Sequence, residues 1–376
     1  MNARRGRAGG AWMVLGVAGV IGMVGSSVSC TKNSSPEQRA ASSAIIGAGS
    51  TFIYPIMTRW IDTFQASHPG VHINYQSIGS GGGIEQLKQG LIDFGASDAA
   101  LSDQQLKEMQ PVIQIPESAG PVCITYNLPE LKGAVKLTAK TLSEIYLGKI
   151  KTWQDPELKK DNEGVGLPRR AIVVAHRSDG SGTTNIFTTY LAAVNPEWAK
   201  KVGEGISVEW PAGVGGKGNE GVTGVVRQAP GAIGYVELSY AKENNLPVAL
   251  IRNQAGNWVE PSAAGTTAAI DAFHEQLAKD VRTPIVNPPA SAKEAYPICG
   301  LTYLLVPKDG QDAGKRQTVQ EFIDYVITQG QDSADSLYYA KLPTGLADWD
   351  QTLLGEMMAG GKPIQSGAGT MKSSTQ

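Results

Sequence analysis

A chain of 376 residues is too long for one typical compact core, so two domains are the default expectation. With 41% hydrophobic and 18% charged residues the composition is that of a soluble globular protein, and a net charge of −2 leaves no electrostatic footprint for nucleic acid. The 45 glycines follow no Gly-X-Y period, so they mark tight turns and close backbone approaches rather than collagen.

The first residues stand outside the fold. Arg4, Arg5 and Arg7 precede an apolar stretch from about Ala11 to Gly25, the layout of a secretory signal, so residues 1–29 read as a signal peptide and the protein as exported. The stretch is short against the roughly 20 apolar residues that a membrane span needs. Ser26-Ser27-Val28-Ser29-Cys30 resembles a bacterial lipobox, although Ser27 stands where Leu is usual. Cys30 would then be acylated and become the mature N-terminus, with residues 30–43, small and polar, as a tether. A plain signal peptide cleaved nearby is the alternative.

Strands and helices then alternate, which is α/β patterning. Residues 44–66 run from a short strand through GAGST into an amphipathic helix, and residues 73–90 run from an alternating strand through GSGGG into another. Ala99 to Met109 reads as a helix, with Asp98 placed as its N-cap by pattern alone. Val122 to Asn127 is an apolar strand, LTAKTLSEIYLGKIKTW a helix, and Asp155 to Arg169 a loop. Residues 171–194 form a buried strand, a turn of Asp179, Gly180, Ser181 and Gly182, and an amphipathic helix. Farther on come a Gly-rich loop at 213–221, a strand at GAIGYVEL, a helix from Thr266 to Lys279, an apolar strand at 298–306 and a helix from Val319 to Thr328. The tail from Ala359 reads as loose.

Three strand-to-helix turns bearing Gly and a hydroxyl residue suit an anion. A helix N-terminus offers unpaired N–H groups and the positive end of its dipole, and small residues let a tetrahedral anion approach the backbone. Arg177, Ser181 and Thr183 add a forked cation and hydroxyls. Ordinary capped turns would read the same way. Ser181 as a nucleophile is the enzymatic reading, but His176, the adjacent base candidate, should face away from Arg177 on a strand. The four histidines are scattered without ligand spacing, so no metal and no cofactor is expected. Cys123 and Cys299 are an even pair in an exported chain, either a disulfide or two buried thiols.

The segments GAGSTF, GSGGG, DFGASDAALSDQQL, KTLSEIYLGKIKTW, RSDGSGTTNIFTTYL, GGKGNEGV and PGAIGYVE together resemble the Pst-type substrate-binding proteins, the periplasmic phosphate-binding component of high-affinity phosphate ABC importers. The resemblance runs from about Ile45 to Pro343. It implies the type II periplasmic-binding-protein fold, two α/β lobes joined by two crossing strands, with residues 44–120 plus 299–376 as lobe I and 121–298 as lobe II. It implies no enzyme but a monomer that binds inorganic phosphate in the cleft, in the periplasm or at the outer face of the envelope, and hands it to a membrane permease. The ligand residues it implies are Ser50, Thr51, Phe52 (through its backbone N–H), Ser80, Asp98, Arg177, Ser181, Gly182 and Thr183, with Asp179 orienting the Arg. Ile53 stands where the family often has Pro. On this reading the cysteine strands are the crossings, and Cys123 is expected to be bonded to Cys299.

Overall fold

The computed structural model describes residues 44–364; the expected signal peptide, Cys30, the tether and the end of the tail lie outside the described residues. Apolar, often β-branched runs form the strands: β1 (Ile45–Gly49), β2 (Ile73–Ser77), β3 (Phe94–Ser97), β4 (Val112–Tyr126), β5 (Lys136–Leu137), β6 (Val173–Arg177), β7 (Val214–Gly216), β8 (Ala232–Glu237), β9 (Leu250–Arg252), β10 (Trp258–Val259) and β11 (Cys299–Pro307). Eight of them make one sheet in the order β2-β1-β3-β11-β4-β8-β6-β7, and β5, β9 and β10 make a small second sheet. Strands β1, β2 and β3 run parallel, as do β6, β7 and β8. Each set is the centre of one α/β lobe.

β4 joins the lobes. Its first part, Val112 to Pro121, pairs with β11, and Val122 to Tyr126 pair with β8. The chain returns beside it, where the Val122 N–H donates to the Ile298 carbonyl at 2.8 Å. These are the two crossing strands of the type II fold. Both are buried along nearly their whole length, and β11 reads as a nearly continuous apolar run instead of an alternating one. One irregularity interrupts their ladder: Thr302 faces Ser118 and Tyr303 faces Pro116, which leaves Glu117 as the extra residue of a β-bulge.

The expected disulfide is absent. Cys123 and Cys299 are both buried free thiols. The strands do run side by side, but the register sets Cys299 opposite Pro121, two residues short of Cys123. The Cys299 thiol donates instead to the Tyr296 carbonyl at 3.2 Å, and the two sulfurs sit in separate apolar clusters. Burial pushes the Cys299 thiol up to about 12 and that of Cys123 well above its ordinary value, which makes both inert. Digestion without reductant should therefore yield the two cysteine peptides separately alkylated after unfolding; a linked peptide would contradict this.

The elements depart from the pattern in several places, four of them for an evident local reason. The helix expected at Ala99–Met109 begins only at Asp103, because Ser102 and Gln105 form a capping box. The one expected over LTAKTLSEIYLGKIKTW is Ala139–Tyr146, stopped where Gly148 takes a φ of 71°. The expected loop after Asp155 contains a helix, Pro156–Asp161, that Asp155 caps with Pro156 following. The tail beyond Ala359 begins by pairing, with Met358–Ala359 against Lys362–Pro363. In lobe I the helix Tyr54–Ser67 buries Ile56, Met57, Trp60, Ile61 and Phe64 on one face, which anchors the loop at its N-terminus.

Candidate ligand-binding site

The loops that carry the expected ligand residues follow the C-terminal ends of parallel strands, where open α/β sheets place their sites. Ser50, Thr51 and Phe52 follow β1, Ser80 follows β2, Asp98 follows β3, and Arg177 ends β6 ahead of Ser181, Gly182 and Thr183. The helices Ser80–Lys88, Gly182–Val194 and Gly218–Gln228 start there, so their positive ends converge.

The lobes meet at this point. The Gly81 N–H donates to the Gly180 carbonyl at 2.9 Å, the Gly182 N–H donates to Ser80 Oγ at 3.1 Å, and Asn219 Nδ2 donates to Thr51 Oγ1 at 2.7 Å. The cleft is closed. Two glycines permit it. Gly79 has a φ of 88°, and a Cβ on it would stand 2.7 Å from the Gly180 carbonyl oxygen. A Cβ on Gly182 would lie 2.6 Å from both Asp98 Cβ and Ser80 Oγ.

Each polar group has a defined role. Arg177, 3% exposed, forks onto Asp179 through Nε at 2.8 Å and Nη2 at 2.6 Å, and its Nη1 donates to Thr183 Oγ1 at 3.3 Å. Burial pushes the Asp179 carboxyl up, but the Arg177 hydrogen bonds and charge, with the Gly218 N–H, outweigh it and hold the group below its ordinary value. The guanidinium is thus fixed in place with Nη1 and Nη2 still carrying free protons. Thr51 Oγ1 accepts from both the backbone N and Nδ2 of Asn219, and Ser181 Oγ accepts from the Thr184 N–H at 3.0 Å as the cap of its helix. Thr183 Oγ1 accepts from Arg177 and Asn219. With both acceptor positions filled, the Thr51 and Thr183 hydroxyls are left to donate, and the Ser181 hydroxyl, accepting once, keeps its proton to give as well.

Asp98 is the acceptor among them. It is 4% exposed, the Ser50 hydroxyl donates to its Oδ1, and the Ser80 hydroxyl lies at 3.5 Å from Oδ2. Burial pushes its carboxyl up to about 6, against the Ser50 hydrogen bond, the Arg177 charge and the Thr302 and Ser80 hydroxyls. It is no helix cap, since the next helix has its own cap in Ser102. Phe52 contributes backbone: its N–H donates to Ser50 Oγ at 2.9 Å, while its ring packs edge-on against Tyr339 in the core.

Three comparisons bear on this arrangement. The PBP superfamily domain matches residues 34–329. The phosphate-binding protein PstS of Xylella fastidiosa (strain Temecula1) is 44% identical over 310 residues, covering 82% of this chain and 84% of that one. The chain belongs to the PstS family of phosphate-binding proteins. PstS of Haemophilus influenzae is 42% identical over 305 residues, 81% of this chain and 90% of that one. A solved periplasmic phosphate-binding protein bound with phosphate, PfluDING, shares the fold at a TM-score of 0.66, with 24% identity over 82% of this chain and 93% of that one.

The family is one of substrate-binding proteins, and the side chains beside Ser181 agree with that. His176 stacks on Trp210 with 5.0 Å between ring centroids, and its Nδ1 is already engaged with the Arg177 carbonyl at 2.9 Å. Two residues in the cluster escaped the sequence reading. Asn219, fully buried, ties Thr51 of one lobe to Thr183 of the other, and its Oδ1 accepts from the Glu237 N–H at 3.0 Å. The signal for it was the GGKGNEGV segment, where Asn219 stands in the first turn of a helix. Glu117 is the other. A separate groove of about 1050 Å³, lined by apolar residues such as Leu106, Leu277 and Trp349, shares no residue with the cluster.

Proposed function

We propose that this chain captures inorganic phosphate outside the cytoplasmic membrane and delivers it to the permease of a phosphate ABC importer. The observation that carries the reading is the closed cleft in which hydroxyls preset as donors (Thr51, Thr183), the Ser181 hydroxyl and a fixed guanidinium (Arg177) surround one buried carboxylate, Asp98. Phosphate near neutral pH accepts on most of its oxygens and still carries a proton. Donors therefore hold the oxygens and Asp98 takes the proton, with Ser50, Phe52, Ser80 and Gly182 joining the set as the ligand replaces the hydrogen bonds these groups make to one another and to Asp98. Asp179 acts through Arg177. Sulfate has no proton to offer, so its oxygens would face a carboxylate across a desolvated gap.

Equilibrium dialysis with labelled phosphate tests the reading beside incubation with a chromogenic phosphoester. One equivalent of phosphate bound with no ester cleaved is the expected result. Release of the chromophore, or no retained phosphate, would refute it. Residues 1–29 act as the export signal in this account and Cys30 as a lipid anchor that keeps a monomeric binding protein at the membrane face. Mass spectrometry of the mature N-terminus should find a lipidated Cys30, and a free N-terminus beyond it would contradict the anchor.

A further inference from the structure

Glu117 is fully buried at the middle of β4, and as the extra residue of the bulge it is free of the ladder that fixes its neighbours. A bulge re-aims the side chain it carries. Here the freed Glu117 carbonyl accepts from Gln331 Nε2 at 3.0 Å, and Oε1 accepts from Thr302 Oγ1 at 3.0 Å. Oε2 has no hydrogen-bond partner among the described residues. Tyr303 pairs with Ser97 at the end of β3, which sets Thr302 beside Asp98, so one hydroxyl lies between the two carboxyls.

The titratable groups around Glu117 are Asp98 from the end of β3 and Tyr75 from β2, whose phenol donates to the Ser50 carbonyl at 2.9 Å. Arg177 acts on Asp98 and is held by Asp179. A carboxylate with one donor, no cation and a second carboxylate as neighbour is far costlier than the neutral acid. The anionic ligand proposed above would raise that cost again.

We propose that Glu117 determines affinity from beneath the phosphate site: it stands protonated below Asp98, the pocket shows the ligand a single carboxylate, and phosphate is held only while Glu117 keeps its proton. This rests on the phosphate reading of the cleft. Burial, opposed by the Thr302 hydrogen bond and reinforced by the charge on Asp98, pushes the Glu117 carboxyl up to about 8. The group is neutral below that value and ionises above it, so binding in alkaline solution must return a proton to it. Asp98 is already ionised in that window, and burial keeps the Tyr75 phenol neutral through it.

Calorimetry with inorganic phosphate from about pH 7 to about pH 9.5, in buffers of different ionisation enthalpy, tests this on the intact protein. Above about pH 8 the wild type should take up a proton on binding, with Kd rising about tenfold per pH unit. Glu117→Gln should flatten that rise and bind phosphate more tightly than wild type at the alkaline end. Equal slopes in both proteins would overturn the role of Glu117 while phosphate binding at neutral pH leaves the reading of the cleft standing. Should Glu117→Gln fail to fold, the wild type decides alone, because binding without proton uptake above about pH 8 overturns the proposal. Failure of the wild type to bind phosphate at any pH would overturn both readings together.

Discussion

Arg177→Ala should weaken phosphate binding by about 2–5 kcal/mol, roughly thirty- to several-thousand-fold in Kd. Among the described residues the guanidinium is the one cation inside the cluster, it is buried, and its fork is already fixed by Asp179, so little of its interaction with an anion is lost to ordering. Removing it also strips Asp179 of its ion-pair partner and leaves the Gly218 N–H as the main donor to that carboxylate. Arg177→Lys keeps the charge without the fork, so it should recover part of the affinity only. Titration calorimetry on the three proteins separates charge from geometry. Affinity unchanged in Arg177→Ala would mean that helix ends and hydroxyls hold the anion unaided.

Gly182→Ala should bind phosphate about five- to 150-fold more weakly, the cost of about 1–3 kcal/mol expected when a methyl group is forced into a packed contact. The added Cβ would meet Asp98 and Ser80 across the closed cleft. Gly182 lies in the first turn of its helix without a positive φ, so Ala strains no backbone there and favours the helix. Thermal stability without ligand should hold or rise while affinity falls. A variant that binds like wild type would show that the lobes do not need to approach as closely as Gly182 and Ser80 do.

What could be read from the sequence was local chemistry. The turns at Gly49–Thr51, Gly79–Ser80 and Ser181–Thr183 were legible because they recur: one glycine and hydroxyl junction is an ordinary capped turn, whereas three of them suit an anion. The capping box at Ser102 and Gln105 was equally available and would have freed Asp98 from the cap assignment. Register was not legible. The cysteine strands do lie together, yet whether Cys123 meets Cys299 turns on a two-residue offset that no local pattern sets. Glu117 was hidden for the same reason: its place under Asp98 depends on a bulge between segments far apart in the chain. Asn219 read only as part of a Gly-rich loop, since the partners that surround it, Thr51, Thr183 and the Glu237 N–H, lie far from it or on other elements of the chain.

The central claim is that the cleft selects a protonated oxyanion through Asp98. Competition of phosphate, arsenate and sulfate for the wild type and Asp98→Asn, at neutral pH and again below about pH 6, tests it most directly. With Asp98 ionised at neutral pH, phosphate and arsenate should displace one another while excess sulfate displaces neither. Below its raised value of about 6 the carboxyl becomes a donor, so the preference over sulfate should narrow. Asp98→Asn should show the same narrowing at neutral pH, with phosphate affinity falling less than selectivity. A wild type that sulfate competes for as well as phosphate does, or a variant with the wild-type preference intact, would contradict the account.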